Sequence, residues 1–193
     1  MKNFLITSIV ILLSVHVGAQ VAQNIVVEHF TNTRCGICAN RNPGFYSNLE
    51  NHPDVFHISF HPSSPYSNCV LNNHNTAEND ARTNFYNNYG STPKFVVQGD
   101  KITGATDVSK PALFTPYDGM MSPIELKINQ HISVDSIHSD VVVKTVASHS
   151  LGTVKLFVAV AEDTVFYNAP NGENEHYDVF RKAMTDIVGN DLT

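Results

Sequence analysis

Apolar positions along this chain follow two styles. Between about residues 24 and 121 they come as short runs separated by helical spacing. After Ser122-Pro123 they alternate with polar residues. The run Val26-Val27-Glu28-His29-Phe30 predicts a strand, and Phe45, Tyr46 and Leu49 recur at a spacing that predicts a helix over 39–50. Val55 to Phe60, bounded by Pro53 and Pro62, predicts a second strand. Thr76 to Tyr89 has a capping threonine, Asn79 and Asp80 early, and Phe85 and Tyr89 on one face, which predicts another helix. Gly99-Asp100 between two strand-like runs is a hairpin signal.

The later region predicts only strands. Ile124, Leu126 and Ile128 alternate with Glu125, Lys127 and Asn129. Val141–Ala147, Val154–Ala161, Thr164–Tyr167 and a strand or hairpin over Tyr177–Val188 follow. This predicts an antiparallel sheet, one half of a β-sandwich. Such a sandwich needs about seven strands, so a segment with four or five is expected to be incomplete.

Strand, helix, strand with a right-handed crossover makes a parallel βαβ unit, whose strands end on the same sheet edge. That edge carries the chemistry. Between the first strand and its helix stand Thr31-Asn32-Thr33-Arg34-Cys35-Gly36-Ile37-Cys38. A thiolate at a helix N-terminus meets unpaired N–H groups and the positive end of the macrodipole. Cys35 is therefore expected to titrate below the free value of about 8.5, with Arg34 adding positive potential. Cys38, one turn on, is placed to resolve a mixed disulfide formed at Cys35. His61 closes the second strand on the same edge.

A Cys-x-x-Cys pair can be half of a zinc site, a structural disulfide or a redox dithiol. Zinc normally needs a second ligand pair, and the sequence holds no other Cys-x-x-Cys or Cys-x-x-His. A disulfide closing so small a loop constrains the unfolded chain little. Redox chemistry leads. Cys69 is the odd third cysteine and is expected to be a solitary thiol. Pro93, opening the strand before the hairpin, is either ordinary strand punctuation or a cis proline whose turn faces the dithiol.

Residues 1–19 have the pattern of a secretory signal peptide: Lys2, an apolar run from Phe4 to Val15, and Val17-Gly18-Ala19 before Gln20. The run is shorter than the about 20 residues a bilayer span needs. Export would place the cysteines where disulfides persist. Net charge is −6, with no Lys/Arg cluster, which argues against nucleic acid and anionic membranes as partners. The expected organisation is a signal peptide (1–19), an α/β domain (20–121) with a helical insertion at about 62–88, and an antiparallel β segment (122–193).

The cysteine block, Pro43 five positions after Cys38, and Thr92-Pro93 before an antiparallel hairpin resemble a thioredoxin-like fold. More narrowly, Val26 to Cys38, His61-Pro62 with Pro65-Tyr66, Tyr89 to Pro93, and Glu175-His176-Tyr177-Asp178-Val179-Phe180-Arg181 resemble the Omp28-related outer membrane proteins of Bacteroidetes. The resemblance implies an attacking thiolate at Cys35, a resolving thiol at Cys38, and a cis Pro93, with Thr92 offering backbone hydrogen bonds to a peptide.

Two positions depart from the thioredoxin pattern: Arg34 stands where an aromatic residue is usual, and His29 stands where a carboxylate is usual. An imidazole at that place can accept the proton of the resolving thiol, and as a cation it would favour the dithiol. The leading expectation is an exported thiol–disulfide oxidoreductase without cofactor or metal, acting on protein thiols or disulfides. It would be periplasmic, secreted, or held at the surface or outer membrane through a partner. The alternatives are a surface binding or structural protein whose disulfide is inert, and copper binding by Cys35, Cys38 and His61.

Overall fold

The computed structural model describes residues 20–192; the expected signal peptide lies outside the described residues. In chain order the elements are β1 (Val21–Ala22), β2 (Ile25–Phe30), α1 (Gly36–Glu50), β3 (Val55–Phe60), α2 (Val70–Asn73) and α3 (Thr76–Phe85). Next come β4 (Lys94–Val97), β5 (Asp100–Lys101), β6 (Met121–Ser122), β7 (Ile124–Ile132) and β8 (Ile137–Thr145). The last four are β9 (Val154–Leu156), β10 (Ala159–Phe166), β11 (Glu175–Ala183) and β12 (Asn190–Leu192). The chain is mixed α/β, rich in sheet and with few helices. It divides into two units, one of Gln23–Met120 with Leu151–Thr193, the other of Met121–Ser150 with the described residues up to Ala22.

The larger unit is built on a six-stranded sheet of order β10-β11-β3-β2-β4-β5. β2 and β3 pair in parallel, Phe30 opposite Phe60, so both strands leave the sheet at one edge. β4 pairs antiparallel with β2. Alternation along β2 divides the core. Ile25 and Val27 face α1 and meet Phe45, Phe95, Val97 and Phe114. Phe30 faces the opposite side and meets Phe60, Val96 and Phe180. On that second face Glu28 and Arg82 of α3 form a buried ion pair through two bonds of 2.6 and 2.7 Å. The β4–β5 turn has Gln98 at φ 50° and Gly99 at φ 87°. Two successive positive φ values suit a tight hairpin, and glycine takes the second without a Cβ clash.

The C-terminal half corrects the expected layout. Residues 122–193 do not form a separate antiparallel layer, because β10 and β11 join the first sheet. β11 meets β3 at a single parallel bridge, Val179 with Ser59, and Ser59 Oγ donates to the Tyr177 carbonyl at 2.8 Å. The physical reason is burial on both faces. Val179 and Phe180 are adjacent in sequence, so they point to opposite sides, yet both are fully buried. A strand with one wet face cannot do that. The smaller unit holds the region of alternation, the β7–β8 hairpin with Ile124 opposite Thr145, and in it β6 pairs with β1.

Candidate functional site

The turn after β2 is fixed by its own polar side chains. Asn32 Oδ1 accepts from the Arg34 amide at 3.0 Å, while Asn32 Nδ2 donates to the Pro62 and Tyr66 carbonyls. The Cys35 amide donates to the Asn32 carbonyl at 3.0 Å. The turn thus delivers Cys35 to the N-cap of α1, with extended backbone and its sulfur accepting from the Cys38 amide at 3.0 Å. That bond answers one of the unpaired N–H groups at the helix start and would stabilise a thiolate at the same place.

Cys35 and Cys38 are joined as a disulfide, with Cα atoms 5.1 Å apart. The Thr92–Pro93 peptide is cis, and the Thr92 carbonyl oxygen lies 3.4 Å from Cys35 Sγ. Cys35, Cys38, Thr92 and Pro93 are therefore together, as expected. Both sulfurs are covered. Cys38 is fully buried and Cys35 is only 1% exposed, between exposed neighbours Arg34 and Gly36. In the disulfide state Cys35 is therefore under cover.

Arg34 is exposed, and its Nε donates to the Asn68 carbonyl at 2.9 Å. Its guanidinium thus pins the loop before α2. Thr33 Oγ1 lies 3.2 Å from the sulfur of Cys69, which is buried and free. One side of the dithiol turn is therefore closed by the 62–69 segment.

His29 projects from β2 under α1. It stacks on Phe95, ring centroids 4.4 Å apart, and meets Phe45 edge-on at 5.1 Å. Neither ring nitrogen makes a well-formed hydrogen bond, and the nearby Asn42 side chain only partly offsets the burial. Burial, then the neighbouring His57 and His61, push its pKa well below 6.5. The imidazole is neutral, so the cationic role considered from sequence does not apply to this state. His61 leaves the shared sheet edge as expected but turns inward. It is buried, both ring nitrogens lack partners, and burial followed by the fields of His176, Arg181 and His57 lowers its pKa to about 3. Among the described residues no group of three His, Cys, Asp or Glu side chains is arranged to hold a metal ion, and here Cys35 and Cys38 are bonded to each other.

The loop joining β10 to β11 closes the other side of the turn, and sequence reasoning gave it no role. The Asn171 amide donates to the Thr33 carbonyl at 3.2 Å, and Asn171 Nδ2 donates to the Cys35 carbonyl at 3.2 Å. The Glu173 carboxylate accepts from Asn171 Nδ2 at 2.5 Å and from Asn42 Nδ2 of α1 at 2.7 Å. In the sequence, Asn171-Gly172 signals only a turn. The partners of Asn171 on the dithiol turn lie 136 to 139 positions away, beyond any local pattern.

No protein-family model matches the chain, and no curated protein matches it. Two solved structures are similar in fold. One is HBP35 of Porphyromonas gingivalis, at 17% identity and a TM-score of 0.72, covering 90% of this chain and 60% of that one. The other is a structural-genomics protein from Agrobacterium tumefaciens, at 19% identity and a TM-score of 0.56, covering 86% of this chain and 73% of that one. The chain thus spans about 60% of the length of the HBP35 chain. Among the described residues no helix is long and apolar enough to cross a membrane.

Proposed function

We propose that this chain is a thiol–disulfide oxidoreductase on a thioredoxin-like scaffold, exported and acting on protein thiols or disulfides. The observation that carries the reading is the Cys35–Cys38 pair at the start of α1, with the Thr92 carbonyl 3.4 Å from Cys35 Sγ. Structural likeness to a protein of a Bacteroidetes species is in keeping with the resemblance drawn from sequence.

In the reductive direction the Cys35 thiolate attacks a substrate disulfide. One substrate sulfur leaves as a thiol after taking a proton, and a mixed disulfide to Cys35 remains. Cys38 then attacks Cys35 Sγ, its proton passing to the departing substrate thiolate. The second substrate thiol is released and the Cys35–Cys38 bond re-forms, so the substrate gains the two electrons the dithiol loses. Pro93, which has no N–H, and Thr92 form the wall against which a peptide strand would lie.

A second reading is favoured by one observation, the burial of both sulfurs. In that reading the disulfide is sealed and the scaffold serves binding or structure. The deciding experiment treats the native oxidised protein with a dithiol reagent at neutral pH, then offers the reduced form a disulfide-bonded peptide. Rapid reduction and turnover that Cys35→Ala abolishes support the oxidoreductase. A pair that resists the reagent until the protein unfolds establishes the sealed form.

A further inference from the structure

The loop between β10 and β11 arrives at the dithiol turn from the far end of the chain, and two of its polar side chains, Asn171 and Glu173, engage the residues around the cysteines. Asn171 donates its side-chain amide to the Cys35 carbonyl and, at 3.3 Å, to the Asn32 carbonyl. Glu173 receives the same amide and also Asn42, which lies one helical turn beyond Cys38. Asn42 is buried and in turn donates to Thr31 Oγ1 at 3.0 Å. One carboxylate thereby bridges Asn171, which holds the Cys35 carbonyl, and Asn42, which holds Thr31 just before the Cys-x-x-Cys turn. The loop is itself ordered: the Ala169 amide donates to the Glu173 carbonyl at 2.7 Å and the Gly172 amide to the Ala169 carbonyl at 2.9 Å.

The geometry points to Glu173 as a positioning residue that sets the redox equilibrium of the Cys35–Cys38 couple, with Asn171 as the tether that holds it there. This deepens the oxidoreductase reading and rests on it. A fixed negative charge beside the start of α1 opposes the negative charge that appears on sulfur when the disulfide is reduced. It acts against the helix terminus, which favours the thiolate. The carboxylate so placed makes the couple more reducing than the helix terminus alone would.

The effect is separable from stability. A side chain that only holds the loop stabilises the oxidised and reduced proteins alike and leaves their equilibrium unchanged. A charge that acts on the sulfur distinguishes the two forms. Glu175, two residues on, serves as the control, because its carboxylate is engaged by the Tyr177 hydroxyl instead.

The test equilibrates the full chain with a reduced and oxidised glutathione buffer and reads the dithiol fraction by alkylation and mass. E173Q keeps an acceptor for Asn171 or Asn42 and removes the charge. It is expected to shift the equilibrium about tenfold toward the dithiol, which is about 30 mV for a two-electron couple. N171A, which keeps the carboxylate but frees it, is expected to shift it the same way by a smaller factor. E175Q is expected to leave it unchanged. An unmoved equilibrium in both E173Q and N171A overturns the assignment, as does an equal shift in E175Q. A wild-type couple that equilibrates with glutathione yet turns over no disulfide substrate would overturn the oxidoreductase reading and leave this assignment standing.

Discussion

The carbonyl oxygen of Thr92 stands 3.4 Å from the sulfur of Cys35, although 57 positions separate the two residues. With the disulfide formed the sulfur carries no proton and the approach is a contact. In the dithiol, the Cys35 S–H can donate to that oxygen. The neighbouring sulfur of Cys38 is fully buried and lies behind the Cys35–Cys38 bond, one helical turn further into α1. The two cysteines are therefore expected to differ when mutated. Cys38→Ser should accumulate a mixed disulfide between Cys35 and a substrate peptide, seen as an adduct by mass spectrometry. Cys35→Ser should form none, and an adduct on Cys38 in that variant would reverse the assigned roles.

Arg82 ties α3 to the sheet through the buried carboxylate of Glu28. Glu28 accepts from Arg82 and from the Tyr86 hydroxyl at 2.6 Å, and Arg82 also donates to the Ile187 carbonyl at 2.8 Å. Both members of the pair are under 8% exposed. Removing one partner strands the other charge, which costs about 3–5 kcal/mol. Arg82→Met should lose about that much in urea unfolding. Combining it with Glu28→Gln should recover a substantial part, because the uncompensated charge is gone. Equal losses in the single and double variants would show that packing against Phe157, 4.2 Å from the guanidinium, dominates instead.

Much of this arrangement is legible in the sequence, and the reasons for what is not are physical. The strand over 26–30, the dithiol at a helix start, the hairpin at Gly99-Asp100 and the turn at Thr92-Pro93 all rest on local signals: β-branched runs, caps and turn residues. The helix begins at Gly36 with Cys35 as its N-cap, so the cysteine stands at the helix start that the sequence pattern predicts. What sequence reasoning misplaced is non-local. Val179-Phe180 resembles any short apolar pair until β3 and the packed core are present to cover both faces. Asn171 and Glu173 look like loop polarity, and only the fold reveals that their amide and carboxylate meet Cys35 and Asn42. The burial of Cys35 belongs to the same class, since it depends on segments that arrive from elsewhere in the chain.

Gly44 sits inside α1, where alanine would normally be the better helix former by about 1 kcal/mol. A Cβ there would come within 2.9 Å of Ser109 Cβ, closer than real contacts allow. Overpacking of that kind costs about 1–3 kcal/mol. Gly44→Ala should therefore destabilise the protein by about 1 kcal/mol rather than stabilise it. Ser109→Gly in the same chain should remove the clash and let the propensity gain show. A double-mutant cycle by chemical denaturation gives the coupling between the two positions. No coupling would mean that the 109 loop moves aside at negligible cost.

Acid should unfold this protein through its buried imidazoles. His61 is held neutral down to about pH 3 by burial and by the positive potential of His176, Arg181 and His57. His29 is likewise depressed, by burial and then by His57 and His61. In the unfolded chain both take a proton near 6.5. Between those limits the unfolded state binds more protons than the folded one, so stability falls as pH falls. Each such histidine contributes a slope of up to about 1.4 kcal/mol per pH unit, and the two together up to about twice that. The contribution vanishes above about pH 6.5, where both states are neutral. Urea unfolding followed from pH 7.5 to 4 should show stability level at first and then declining below about 6.5. His29→Phe or His61→Phe should flatten the decline by about half without needing to raise stability at pH 7.5. A profile that stays level to pH 4 in the wild-type protein would mean that water or a proton donor reaches these rings, and that they are not neutral buried groups.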